Sequence, residues 1–155
     1  MTGSLIVDSN FGFRLVVQGA HQERYDSSLR RWRADGCLVS APTLWQYEVT
    51  TAITKAVRFG QLTPDDAGRS LSLVERLNIV LVPPDDDQTR RAFEWTLRLG
   101  RAAAYDSYYL ALAEQLSCEF WTADERLYNA ANRPWVRWLD QPAPTAAASP
   151  EDPNP

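Results

Sequence analysis

Four acids stand out by type and position: Asp8, Glu48, Asp106 and Asp124. Asp8 directly follows the apolar run "SLIV" at 4–7, and Asp124 lies just beyond "EFW" at 119–121. An aspartate after a strand commonly caps the next helix, and taken singly that is the plainer account of each. Glu48 is more informative. Projected at about 100° per residue, its helix buries Trp45, Val49, Ala52 and Ala56, and Glu48 falls roughly 70° from the centre of that stripe. No cation stands at i±3 or i±4 to neutralise it. Asp106 repeats the pattern. Tyr105, Tyr109, Leu112 and Leu116 mark the expected inner face, Asp106 lies roughly 60° from its centre, and no basic partner is expected for it. Its place near the helix start adds some support from the macrodipole.

Carboxylates gathered in partly desolvated surroundings repel one another, and some must take up protons. A divalent cation resolves the conflict. Oxygen ligands without histidine or thiolate select Mg²⁺ or Mn²⁺. Mg²⁺ retains waters and accepts a phosphate oxygen, which points to phosphoryl chemistry.

The composition removes competing mechanisms. A single histidine, His21, leaves no two-histidine ribonuclease site and no zinc site with two histidines. A Ser-His-Asp triad could use only His21, which stands in the polar stretch "GAHQERYD". Sixteen basic residues, all arginine except Lys55, face twenty acidic ones, for a net charge of -4. That balance argues against broad electrostatic capture of nucleic acid. Arg30, Arg31 and Arg33 cluster, as do Arg90, Arg91, Arg98 and Arg101, so a local basic strip stays open; a solvated helix face is the plainer account of both. Cys37 and Cys118 form no paired motif and read as two buried free thiols.

The acids must be positioned by a fold of 155 residues, enough for one domain with a sizeable core. Short strands are expected at 4–7, "CLVSAP", "NIVLVP", "CEFWTAD" and "WVRWL". Helices are expected at 9–19, 22–35, from Thr43 to Gly60, from Thr63 onward, at 86–99, at 102–115 and at 125–131. Thr43 and Thr63 are the expected caps of their helices. Strands alternating with helices imply an α/β fold: a three-layer α/β/α sandwich around a mainly parallel sheet of about five strands. Ligand sites in such sheets lie at the carboxyl ends of the strands. Residues 1–140 form the expected domain, and 141–155, with five prolines in fifteen positions, read as a disordered tail. No apolar run approaches the roughly 18 residues that span a bilayer, and nothing resembles a signal peptide, so a cytoplasmic protein is expected.

The motifs together resemble the PIN-domain ribonucleases, in particular the VapC toxins of bacterial toxin-antitoxin pairs. "LIVDSN" is similar to the family's first motif, a strand ending in Asp with Asn two places on. "APTLWQYEVTTAI" resembles the second, in which a proline precedes a helix carrying Glu. "AAAYDSYYLALAEQLSCEFWTAD" resembles the third and fourth together, Tyr-Asp opening a helix of small and apolar residues and a strand then ending in Thr-x-Asp. Each motif alone is weak, but four in order are specific. The resemblance spans about Leu5 to Leu139. It implies that Asp8, Glu48, Asp106 and Asp124 bind the metal and carry catalysis, with Asn10 and Thr122 as supporting polar residues. It also implies an Mg²⁺- or Mn²⁺-dependent endoribonuclease with an RNA substrate, a small antitoxin partner and the homodimers common in the family. The alternative is an inactive PIN fold that only binds RNA or protein. A haloacid-dehalogenase-type phosphatase also begins with a strand-end Asp, but Asn10 replaces its second acid and Lys55 is the only lysine.

Overall fold

A computed structural model describes residues 3–142. The tail expected at 141–155 therefore lies outside the described residues beyond Pro142. The order of elements is β1 (Ser4–Val7), α1 (Ser9–Val16), α2 (Gln22–Ala34), β2 (Leu38–Pro42), α3 (Leu44–Arg58), α4 (Pro64–Arg76), β3 (Val80–Val82), α5 (Asp86–Arg98), α6 (Tyr105–Gln115), β4 (Glu119–Thr122), α7 (Glu125–Ala131) and β5 (Val136–Trp138).

The five strands form one sheet in the order β3-β2-β1-β4-β5, and every pairing is parallel. A parallel sheet is buried on both faces, so its strands are apolar runs rather than alternating ones. Leu5, Ile6 and Val7 of β1 are accordingly all buried. Successive side chains of a strand point to opposite faces. On β4, Phe120 stacks on Tyr109 of α6, while Trp121 meets Trp32 of α2. Helices α6 and α2 thus lie on opposite faces of the sheet, and the layers are α/β/α. Among the described residues no helix is long and apolar enough to cross a membrane.

Local chemistry sets most helix ends. Thr63 accepts a hydrogen bond from the Asp66 amide with Pro64 in the first turn, and Asp85 caps α5 through the Gln88 amide. Thr43 departs from expectation. Its backbone is already helical, and its side chain makes no capping bond. A helical Ncap residue cannot fold its hydroxyl back onto the N2 or N3 amide, which needs extended dihedrals.

Two buried faces also differ from the periodicity. On α3 the stripe is Trp45, Val49, Ile53 and Ala56, with Ile53 in place of Ala52. On α6, Tyr105 and Leu116 are exposed, and the buried set runs from Ser107 through Tyr109, Leu110, Ala111, Leu112 and Ala113. The helix is enclosed on nearly all sides beyond its first turn, because it lies across β1, β2 and β4 with α5 behind it. Asp106, Leu110 and Ala113 fall at i, i+4 and i+7, so Asp106 stands closer to the buried face than the expected stripe put it. The cysteines are both free and half-buried rather than fully buried. Burial pushes the Cys118 thiol up to about 11.

Candidate active site

The strand order reverses between β1 and β4: from β1 the chain proceeds outward to β2 and β3, then returns to place β4 on its other side. Crevices at such switch points, outside the carboxyl ends of the strands, are where open α/β sheets bind ligands. Asp8 and Asp124 both stand there. Val7 is in register with Trp121, and the Asp8 amide donates to the Trp121 carbonyl at 3.2 Å.

Asp8 is held on every side. Its Oδ1 accepts from the Phe11 amide at 2.9 Å, capping α1, and its Oδ2 accepts from the Thr122 hydroxyl and the Ala123 amide, each at 2.8 Å. Burial pushes the carboxyl up against these bonds and a distant Arg14 charge, and burial prevails. Thr122 works in both directions, since its Oγ1 also accepts from the Asp124 amide at 3.0 Å. Asp124 in turn caps α7 through the Leu127 amide at 3.0 Å. Capping is thus a real duty of both aspartates. It also fixes their carboxylates at the sheet edge.

Glu48 reaches the same region from α3. It is half-buried, and its Oε2 accepts from the Tyr109 phenol at 3.1 Å. Burial pushes its carboxyl up, hydrogen bonds from Ser9 and Tyr109 lower it, and the Asp106 and Asp8 charges raise it again. The Tyr109 phenol is raised well above its ordinary range, by burial and then by the charges of Glu48 and Asp8. Asp106 is raised too: burial outweighs the Arg101 charge, and Asp124 adds repulsion. The acids therefore sense one another as a chain, Asp8 to Glu48, Glu48 to Asp106, and Asp106 to Asp124.

Two expectations need correction. Asp106 has a basic partner, for the Arg101 guanidinium donates to its Oδ2. Arg101 lies five residues back, outside helical spacing, and reaches the carboxylate because Gly100 turns the chain at φ 63° ahead of α6. The convergence is also looser than a preformed cage. Among the described residues no three Asp, Glu, His or Cys side chains are drawn together closely enough to hold a cation as they stand. Glu48 and Asp106 line an open cleft of about 530 Å³ with Arg101 and the exposed Tyr105.

Asn10 is exposed in the first turn of α1, and no hydrogen bond joins it to the acids. The polar residues that do support them are Thr122, Ser9 and Tyr109. Of these the sequence marks only Thr122. Tyr109 falls on the expected inner face, and nothing in its spacing marks it as a donor to Glu48, 61 positions away. His21 is remote from this group and lies 3.4 Å from Asp140.

A PIN-domain family model matches residues 5–133. The structure resembles that of PAE2754 from Pyrobaculum aerophilum, with 21% identity, a TM-score of 0.60, and 84% of this chain covered against 87% of that one. It also resembles FitAcB from Neisseria gonorrhoeae, with 19% identity, a TM-score of 0.63, and coverage of 87% and 97% respectively. No curated protein matches at a significant level. With the model spanning most of the folded chain and all four motif acids inside it, the protein belongs to the PIN domain family.

Proposed function

We propose that this protein is a metal-dependent endoribonuclease and the toxin of a VapBC-type pair, acting in the cytoplasm. The observation carrying this reading is the placement of the acids: Thr122 bridges Asp8 to the Asp124 amide at the β1/β4 switch point, and Glu48 and Asp106 line one cleft. Asp8, Glu48 and Asp106 all have raised carboxyls, and Asp106 feels Asp124. Such a group is costly to ionise without a counter-charge.

The donor set fits a hard divalent cation, with four carboxylates and neither imidazole nor thiolate. Asp8, Glu48, Asp106 and Asp124 would hold Mg²⁺ or Mn²⁺, and the ion would supply an activated water and charge to offset the phosphorane-like transition state. The chain's own residues do the rest. Thr122 and the Ala123 amide keep the Asp8 carboxylate aimed at the sheet edge, Tyr109 orients Glu48, and Arg101 holds Asp106. No cysteine stands in this group, and its hydroxyls, Ser9 and Thr122, have no histidine beside them, which suits direct hydrolysis of a phosphodiester. A single-stranded or looped RNA is the substrate whose phosphate can enter a recessed site. The small antitoxin partner and a homodimer rest on the VapC resemblance.

The competing reading is an inactive PIN fold that binds RNA or protein. The Arg101–Asp106 pair favours it, because a guanidinium already neutralises one of the acids. One experiment separates the two: purified protein is incubated with RNA in Mg²⁺ or Mn²⁺, with EDTA, and as Asp8→Asn. Cleavage that EDTA and the substitution both abolish supports the nuclease. Equal cleavage by parent and variant means a contaminant, and sinks it.

A further inference from the structure

A second surface stands apart from the acids. Between α2 and the β4–β5 edge runs an open groove of about 800 Å³, bordered by Arg24, Ser28, Arg31, Trp121, Arg137 and Trp138, with no acidic side chain lining it. In a chain of net charge -4 that concentration of guanidinium is a local reversal of sign. Arg31 makes no ion pair among the described residues. Arg24 donates only to the Gln141 carbonyl, at 2.9 Å. Arg137 is partly neutralised by Glu119 at 3.4 Å and lies over the Trp121 ring, 5.8 Å from its centroid. The Nε1–H of Trp138 is buried without any acceptor. Every charged side chain lining the groove is thus a guanidinium, and neither Arg24 nor Arg31 has a carboxylate partner among the described residues. That set matches the phosphates of a nucleic-acid strand, and the half-exposed edges of Trp121 and Trp138 beside it, rings already packed on Trp32 and Tyr128, offer apolar contact for unpaired bases.

The groove is also placed to serve the site. Trp121 immediately precedes Thr122, the residue that holds Asp8, and the Leu139 amide on the groove's rim donates to the Thr122 carbonyl at 2.8 Å. Trp121 and Asp124 are three residues apart, on the order of 10 Å along the chain. We propose that this groove binds the backbone of single-stranded RNA flanking the cleaved bond, with Arg24 and Arg31 on phosphates and Trp121 and Trp138 against bases. This inference rests on the ribonuclease reading for its choice of ligand, but binding can be measured without cleavage.

The test is fluorescence anisotropy of a labelled 20-nucleotide single-stranded RNA of mixed sequence, titrated with the full chain in EDTA over a range of salt. The parent and the Arg24→Ala/Arg31→Ala double variant are compared. Both arginines are exposed, and the melting temperature of each protein checks the fold. Arg30→Ala serves as control, since Arg30 is on the same helix but paired with Asp26. The double variant is expected to bind about tenfold more weakly and to lose about 1.4 from the slope of log affinity against log salt, two phosphate contacts at 0.7 each. The control should be unchanged. RNA binding that is undetectable in the parent, or equal in parent and double variant, overturns the proposal. So does loss of a polyglutamate peptide with RNA affinity retained, which would assign the groove to an acidic protein. Groove-dependent binding without metal-dependent cleavage would sink the nuclease and leave the groove standing; cleavage with no groove effect does the reverse.

Discussion

The indole Nε1 of Trp45 donates to the backbone carbonyl of Asp8 at 2.9 Å. Trp45 stands one helical turn before Glu48, so this bond ties the helix carrying one acid to the corner carrying another. Both groups are buried, Trp45 at 2% and Asp8 at 7% exposure. The spacing of the two acids at the switch point is therefore set by backbone and indole, not by the carboxylates themselves.

Replacing Trp45 with Phe keeps an aromatic ring but orphans the Asp8 carbonyl. A loss of about 1–3 kcal/mol is expected, from the missing bond and the volume deleted. RNA cleavage should fall further than the fraction unfolded explains, because the helix carrying Glu48 is no longer tied to the corner carrying Asp8. Urea unfolding and cleavage rate, measured together, check this; loss of stability with full activity would mean the bond is only structural.

Gly12 makes the same junction close. A Cβ on Gly12 would lie 2.4 Å from Cζ2 of Trp45, inside any tolerable contact. In a helix interior Gly→Ala normally stabilises by up to about 1 kcal/mol. Here Gly12→Ala should destabilise by about 1–3 kcal/mol, since α1 or the indole must move. A raised urea midpoint would show that the packing at this junction is slack.

Arg101 and Asp106 bear on the proposed metal binding. With Arg101→Ala, calorimetry with Mn²⁺ should give tighter binding, since the guanidinium no longer competes for the carboxylate. The metal-free melting temperature should barely move, because partly exposed ion pairs contribute about 0–1 kcal/mol. Asp106→Asn should abolish cleavage while leaving metal-free stability unchanged or higher, as burial and Asp124 already push its carboxyl up. Weaker Mn²⁺ binding in Arg101→Ala would mean that Arg101 positions Asp106 for the ion instead of blocking it.

Glu48→Gln retains an acceptor for the Tyr109 phenol and removes a carboxyl that is raised chiefly by burial. Mn²⁺ affinity should fall. The folded protein at neutral pH should be no less stable than the parent, because a raised carboxyl costs stability above its folded value. Unchanged affinity would remove Glu48 from the metal set.

Acid stability should turn on Asp140. Burial alone would raise its carboxyl, but hydrogen bonds from Arg14 and Tyr25 and the charges of Arg14 and His21 hold it below 3.8. A depressed folded value gives stability that is present above the unfolded value and lost as pH falls through the folded one. Asp140→Asn should therefore cost about 2 kcal/mol at pH 7, the scale of hydrogen bonds to charged groups. The gap should begin to close below roughly pH 4 and narrow further as pH falls through the depressed folded value. A gap of constant size down to the onset of acid unfolding would assign the cost to packing.

The elements and the order of the four acids are legible in the sequence, because both depend on local rules. Apolar runs of four residues flanked by helix-period segments specify a parallel α/β sheet, and a strand-end aspartate is a helix cap whether or not it is anything more. The motifs place all four acids inside a PIN domain. What periodicity could not supply is which residues meet across the fold. Ile53 replaces Ala52 in the α3 stripe, and the inner face of α6 turns away from Tyr105, because neighbouring helices decide which side of a half-apolar surface is covered. Tyr109 reaches Glu48 across 61 positions, and Arg101 reaches Asp106 through a left-handed glycine rather than a helical turn. A carboxylate's partners are fixed by distance in space, and only the assembled sheet, with β1 beside β4, brings these side chains within that distance.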